Sequence, residues 1–536
     1  MKLSIKIKKQ KKEVEFVDNL YKKLLNELAI ILNDFHRVNW KTKSWEILIG
    51  PWLNRYVAIV IDRYRQIGKG KFKNNTGLKK KILKYSLAAS DISEFTLNIQ
   101  NAGWNEYFIS RIKKILIRKK VTPFLKLKKD KNSITEYSFT KKIIFSFLKL
   151  VHFILCFNNK FIFYKPYFGK SLKVIKLFIS IKEFPFIYDK FLDDRWYFQY
   201  NKNLRKKIKI SLKYSSVEEK IIRSLLIESI PTIYVEGFRK INNLVYKVFF
   251  PKKVKVIFTA AVLKDNLFKF WMASQISRGV KLIVKQHGVN YGQISKWDNE
   301  KHEINICNKY LTYGWNYNNK KTFSSCNFYS FKTKNYKNLE KKNILIVPDD
   351  VRFFKTNNII FDNNILNILK VYDGFLKKFK KNELNNIYFK SHPLSIKSNF
   401  YLENYLKKKY KINYLDYNIN LNNIFDNFKL IIFFYNSTEF LNLIDSNKPA
   451  IFINNKFFYK TLSKSAIPMF NILKKNNIYF DNIANAHKLL GRKDLNKWWD
   501  SKKISKVRAV FKDQFSNSNE KNYLSTIKYL KKIKIN

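Results

Sequence analysis

The sequence predicts an α/β protein in which two Rossmann-like domains face each other across a cleft, preceded by a helical N-terminal region. Three observations carry that expectation. Apolar residues recur at helical spacing early in the chain, and from about Val254 short apolar runs alternate with helix-length segments. That alternation stops at a polar stretch rich in Lys, Asn and Ser, residues 316–342, and then restarts. With 536 residues, 46% of them hydrophobic and 17% aromatic, the chain is long enough for two or three domains and apolar enough to offset chain entropy.

Taken in order, residues 18–35 place Leu20, Leu24, Leu25, Leu28, Ile31 and Leu32 on one helical face. A second helix is expected over 52–65, with Gly50-Pro51 punctuating the aromatic cluster before it. The most apolar run, residues 143–157, carries Lys149 and His152 and falls short of the roughly twenty apolar residues of a membrane span, so it is expected to be a buried helix. Strands are expected at 254–259 and 280–284 with a helix at 265–277 between them, which is a β-α-β unit. A strand at 309–313 closes this unit before the polar linker. Strands at 343–347, 386–390, 429–434 and 449–453 alternate with helices at 359–379, 399–409 and 438–445. A final helix over 494–515 has the length to pack back across the first unit. The expected organisation is therefore a helical region at 1–250, the Rossmann-like part of the first domain at 251–330, a second Rossmann-like domain at 340–493, and a C-terminal helix crossing back at 494–536.

Composition narrows the function classes. Lys and Arg number 105 against 40 acidic residues, a formal charge of +65. Lys, Asn, Ile, Phe and Tyr are enriched together and Arg is scarce, the signature of AT-rich coding drift, and the basic residues are scattered rather than gathered on one element. A dedicated nucleic-acid function is therefore not expected, although a non-catalytic basic protein binding anionic glycan, lipid or nucleic acid is the alternative reading. Three separated cysteines make neither a disulfide framework nor a zinc site. The basic N-terminus lacks an apolar h-region and a small-residue cleavage site, so a cytoplasmic protein is expected.

The candidate chemistry lies in loops after strands, where open α/β sheets bind ligands. Gln286-His287-Gly288 follows the strand at 280–284: His287 reads either as a base toward an acceptor hydroxyl or as a histidine satisfying its own loop, and Gly288 permits close backbone approach. Lys390-Ser391-His392-Pro393 suits a phosphate, or His392 caps a helix. Tyr435-Asn436-Ser437-Thr438-Glu439 opens a helix whose first N–H groups and hydroxyls make an anion site, or Ser437 is a plain N-cap. Asp349-Asp350-Val351-Arg352 lacks a third ligand for a metal. Three such loops on one edge of tandem sheets favour a nucleotide-diphosphate site in an interdomain cleft.

As a set, Phe258 to Ala261, Asp265, Phe268 to Trp271, Gly279 to Ile283, Gln286-His287-Gly288 and Tyr291-Gly292 resemble a family of transferases encoded in bacterial O-antigen and other surface-polysaccharide clusters. Trp45 to Leu53, Ile230 to Phe238, His302-Glu303, Tyr313-Gly314-Trp315, Lys390 to Pro393, Tyr435 to Glu439, Asn447 to Pro449 and Trp498-Trp499 match in order. More distantly, the His-Gly, His-Pro and Ser-Thr constellation is similar to the CDP-glycerol glycerophosphotransferases and other GT-B transferases. That resemblance implies a GT-B-like fold and transfer of a glycosyl or polyol-phosphate group from a nucleotide-activated donor to a surface glycan, without a cofactor or metal. It implies His287 as catalytic base, Lys390, His392, Ser437, Thr438 and Gly288 at the donor phosphates, and Gln286, Arg352 and Glu439 in support. Val289 and Asn442 depart from the wider pattern, which commonly has a second glycine and an acidic residue there. Its expected partners are the donor, a glycan acceptor that is lipid-linked, and the anionic inner face of the plasma membrane.

Overall fold

The computed structural model describes residues 2–68, 86–117, 143, 147, 161–168, 172–182, 196–247, 254–263, 265–328, 342–349, 355–360, 365–391, 402–444, 446–454, 456–491 and 494–535. Two long helices begin the chain. In α1 (Lys2–His36) the stripe Leu20, Leu24, Leu28 and Leu32 is buried, and the helix packs along α2 (Thr42–Gly68). The start of α1 lies well before residue 18 because its first turns find partners far along the chain. Ile7 and Val14 are buried with Ile360 and Phe457, and Lys355 Nζ donates to Glu13 Oε1 at 2.8 Å.

The expected break at Gly50-Pro51 is corrected: α2 runs straight through both residues. An interior proline costs about 3 kcal/mol in a helix. Trp45, Ile47, Leu48, Ile49, Trp52 and Leu53 are all buried around it, and that burial holds the helix together. Gly50 is required by close approach: a Cβ there would lie 2.9 Å from Tyr21 Oη and 3.2 Å from His302 Cε1.

The first sheet is parallel, in the order β1 (Phe161–Tyr164), β2 (Val256–Thr259), β3 (Lys281–Lys285), β4 (Lys309–Thr312), β5 (Thr322–Ser324). Helix Asn266–Ser277 makes the crossover from β2 to β3, and Asp265 ties its start to β1 by accepting from Tyr164 Oη at 3.0 Å and Lys165 Nζ at 2.6 Å. β1 comes from within the stretch expected to be helical, and β5 from within the expected linker. β5 has only three residues, too few for a periodic signal, and is fixed by its register on β4, Tyr310 opposite Thr322.

The second sheet is also wholly parallel, in the order β8-β7-β6-β9-β10-β11: β6 (Ile344–Val347), β7 (Ile387–Phe389), β8 (Asn413–Tyr414), β9 (Leu430–Phe433), β10 (Ala450–Ile453), β11 (Tyr479–Phe480). β6, β9 and β10 are buried at every residue, as parallel strands covered on both faces must be. β8 and β11, of two residues each, escaped the sequence pattern. Strand order reverses between β6 and β9, which makes that crevice the topological switch point. The expected α/β architecture with two parallel sheets and a helical N-terminal region is the one observed.

The chain end differs from expectation. Residues 494–515 form two helices, Leu495–Trp499 and Lys502–Phe515, which stay on the second half: Phe511 packs edge-on against Phe470, and Trp499 Nε1 donates to Ser446 O at 2.9 Å. The crossing follows them. Asn517 N donates to Tyr313 O at 2.8 Å, and helix Glu520–Ile535 buries Tyr523 and Leu530 against the first sheet. Of the 143–157 run only Ile143 and Phe147 are described, both helical and 53% and 63% exposed; the rest of the run, and with it the expected buried helix, lies outside the described residues. No helix among the described residues is long and apolar enough to cross a membrane.

Gly314, at φ +125°, sits where a Cβ would be 2.4 Å from Asp513 O, at the point of crossing. Gly314→Ala is expected to cost about 2 kcal/mol or more through strain and overpacking. Limited proteolysis should then release the C-terminal helix before the rest of the chain; cleavage kinetics like those of the wild type would show that this contact does not hold the crossing.

Candidate functional site

Because all strands of each sheet run the same way, their carboxyl-end loops leave one edge, and the two such edges confront each other. After β3 comes Gln286, a buried strut whose Oε1 accepts from Tyr313 N at 2.9 Å and Trp315 Nε1 at 2.8 Å while its Nε2 donates to Gly288 O at 2.8 Å. This network fixes the loop that carries His287. The imidazole is 27% exposed, with Nδ1 at 3.7 Å from Glu303 Oε1 and its ring beside Tyr291 and Tyr167. At 3.7 Å the contact is electrostatic rather than a hydrogen bond.

Glu303 is the residue that motif reading noted without assigning a role. It is fully buried and accepts hydroxyl hydrogen bonds from Tyr291 and Tyr310, both at 2.9 Å. Burial outweighs those two donors and pushes its carboxyl up to about 8. Its neighbour Glu300 is likewise pushed up to about 7 by burial, although Tyr317 Oη donates to it. His302 turns away from the cleft into a cavity of about 30 Å³ with Tyr21, Glu46 and Asn54, and burial pushes its imidazole down to about 3. The Gly50-Pro51 segment and the His302-Glu303 pair are thus brought together, and only Glu303 reaches toward His287.

Across the cleft, the loop after β9 presents the Ser-Thr pair. Ser437 is buried and caps helix Thr438–Leu443, its Oγ accepting from Phe440 N at 3.0 Å, so the plain N-cap reading holds. Its own O–H proton is not used by that bond. Thr438 is exposed, and its Oγ1 would be 3.7 Å from a Cβ placed on Gly288. Lys390, at the end of β7, is 5% exposed; burial lowers its ammonium from the ordinary lysine value, and Nζ donates to Tyr417 O at 3.1 Å. These groups, with Val289, Asn290 and Glu439, line a cavity of about 670 Å³. A second cavity of about 470 Å³ shares Asn290, Tyr435 and Asn436 with it and is walled by Trp297, Tyr372 and Phe458. Asn436 stitches the edges, donating to Asn290 Oδ1 at 2.8 Å and Gln293 Oε1 at 2.6 Å. His392 and Arg352 lie outside the described residues.

Residues 5–529 match the LIC12162 family transferase, so the chain belongs to that family, and the transferase resemblance read from its motifs is borne out. No curated protein matches the chain. Among solved structures it is similar to TarM (12% identity, TM-score 0.32, covering 52% of this chain and 54% of that one), and to MurG of Acinetobacter baumannii (10%, 0.30, 58% and 88%). It is also similar to a variant of the wall teichoic acid polymerase TagF (13%, 0.31, 80% and 97%). The chain spans about half the length of TarM.

The raised Glu303 carboxyl has a consequence for stability. The folded state keeps a proton that the unfolded chain loses near the ordinary glutamate value of about 4.3. Its stabilising share is complete below that value and is lost as pH rises through about 8. Glu303→Gln cannot ionise, so its melting temperature is expected to improve relative to the wild type between pH 5 and pH 8. Parallel melting profiles over that range would mean that the carboxyl is ionised throughout.

Proposed function

We propose that this transferase moves a glycosyl or polyol-phosphate group from a cytidine- or other nucleotide-activated donor to a glycan acceptor, with His287 as general base. The observation that supports it most is the separation of chemistries across one cleft. The loop that carries His287, fixed by buried hydrogen bonds, reaches one wall through Val289 and Asn290, and a hydroxyl pair, a helix start and a buried lysine line the other, with Thr438 Oγ1 3.7 Å from where a Cβ on Gly288 would stand.

In this reading the donor's diphosphate lies between Lys390, the Thr438 hydroxyl and the Ser437 O–H, where positive charge and N–H groups offset the charge that builds on the departing phosphate; His392 keeps the phosphate role that the resemblance implies. The acceptor hydroxyl approaches from the His287 side, and the cleft converts the encounter of two substrates into a positioned one. His287 takes the hydroxyl proton as the new bond forms. A positive ring favours the carboxylate form of Glu303, so proton uptake at His287 and ionisation of Glu303 are coupled, and Glu303 positions and answers the imidazolium. The acceptor is proposed to be a surface polysaccharide, O-antigen or related glycan, and lipid-linked.

His287→Ala is expected to lower kcat by roughly 10² or more with donor affinity kept, whereas Ser437→Ala/Thr438→Ala is expected to weaken donor binding. A thermal-shift screen of CMP, CDP, UDP, GDP and their sugars identifies the donor, followed by calorimetry on the variants. Near-normal turnover in His287→Ala would remove the base, and unchanged affinity in the double variant would remove the phosphate site. Turnover is also expected to survive chelation; activity lost to chelator and restored by Mg²⁺ would contradict a mechanism run by side chains alone.

A further inference from the structure

Helix Leu172–Ile181 is apolar on both faces. Its inner face, Val174, Leu177, Phe178 and Ile181, is buried with Phe161 and Phe163 of β1 and Val256 and Phe258 of β2. On the outer face Leu172, Ile175 and Ile179 are 76%, 56% and 64% exposed, at the spacing that forms one stripe. A surface helix ordinarily turns polar side chains there. Here only Lys176 and Lys182 accompany the aliphatics among the exposed positions.

The C-terminal helix Glu520–Ile535 lies alongside: Tyr523 Oη donates to Lys173 O at 2.8 Å, and Lys173 Nζ meets Glu520 at 2.5 Å. It exposes Leu524 together with Lys521, Lys528, Lys531 and Lys532. Over residues 172–182 and 520–535 there are eight lysines and a single acid, Glu520, which is already paired with Lys173.

We propose that this two-helix face docks on an anionic membrane leaflet, with the Leu172, Ile175 and Ile179 stripe entering the headgroup–acyl boundary and the lysines meeting lipid phosphates. Apolar area plus a lysine surround is what interfacial helices use, and each lysine near an anionic surface adds to the attraction. The same lysines disfavour a second copy of the chain on this face, because two such faces would repel. The proposal is independent of the catalytic reading, since none of these residues lines the cleft.

Flotation of the full chain with phosphatidylglycerol/phosphatidylcholine vesicles, against pure phosphatidylcholine, tests it. The wild type should bind only the anionic vesicles. Leu172→Gln/Ile175→Gln/Ile179→Gln should bind at least tenfold more weakly at low salt, and Lys528→Gln/Lys531→Gln/Lys532→Gln should show a weaker salt dependence. Both variants are expected to keep the wild-type melting temperature and turnover on soluble acceptor. Unchanged binding by the apolar variant would overturn the proposal and leave general lysine attraction as the cause. Failure of the wild type to bind, or a dimer in light scattering that the apolar variant dissolves, would also overturn it.

Discussion

Strand polarity is the constraint on which the site depends. Among the described residues each sheet is parallel throughout, so each puts its strand-to-helix loops at one edge, and no antiparallel hairpin sends a loop to the opposite side. Once the two carboxyl edges confront each other, residues nearly 150 positions apart, such as Asn290 and Asn436, become hydrogen-bond partners. The switch point between β6 and β9 opens a crevice in the second sheet where helices diverge to opposite faces, and the Ser437-Thr438 loop leaves from its rim. Neither the histidine loop nor the Ser-Thr loop is a site by itself. The shared direction of the eleven described strands brings the two loops to one cleft.

What holds the two edges at this distance is distributed. Buried Arg63 of α2 donates to Lys355 O at 3.1 Å, α1 sends Glu13 and Asp18 to Lys355 and Asn358, and residues 294 and 462 form an antiparallel bridge. A typical hydrogen bond contributes about 0.5 to 1.5 kcal/mol net, but leaving a buried partner unsatisfied costs about 1 to 3 kcal/mol. Separating the halves therefore requires several buried groups to be released together. α1 is seated on both halves, and Gly314 lets the chain return across the cleft.

The sequence made the middle of the fold legible because β2, β3, β4, β6, β9 and β10 are continuous apolar runs separated by amphipathic helices. It hid β1, β5, β8 and β11, which are short or lie in polar surroundings that carry no period. It misread Gly50-Pro51 because local propensity marks a break, whereas the burial of Trp45, Ile47, Leu48, Ile49, Trp52 and Leu53 that overrides it is set by tertiary packing. At the site, His287 was visible as a rare letter after a strand, and Lys390, Ser437 and Thr438 as parts of short motifs after strands. Glu303 was not, because the role of a buried carboxylate is defined by Tyr291, Tyr310 and His287 converging on it in space. Gln286 was visible as part of a motif, but its work as a strut depends on Tyr313 and Trp315, contributed after the next strand.

The large positive charge takes on a definite meaning once its lysines are located. Some are consumed by structure: Lys448 donates to Phe428 O at 2.9 Å, and Lys285 lies fully buried among the rings of Phe168, Tyr313 and Phe328, at 4.6 to 5.3 Å, where burial pushes its ammonium down to about 7. Only Lys390 among the described lysines lines the cleft beside the Ser-Thr pair. A diffuse charge attracts anionic surfaces without orienting the molecule on them, because its field has no preferred face. An apolar stripe beside lysines does orient it, since burying aliphatic side chains gains free energy in one pose only. In the proposed docking, charge governs encounter and Leu172, Ile175 and Ile179 govern pose, while the proposed chemistry rests on cleft residues that are mostly uncharged.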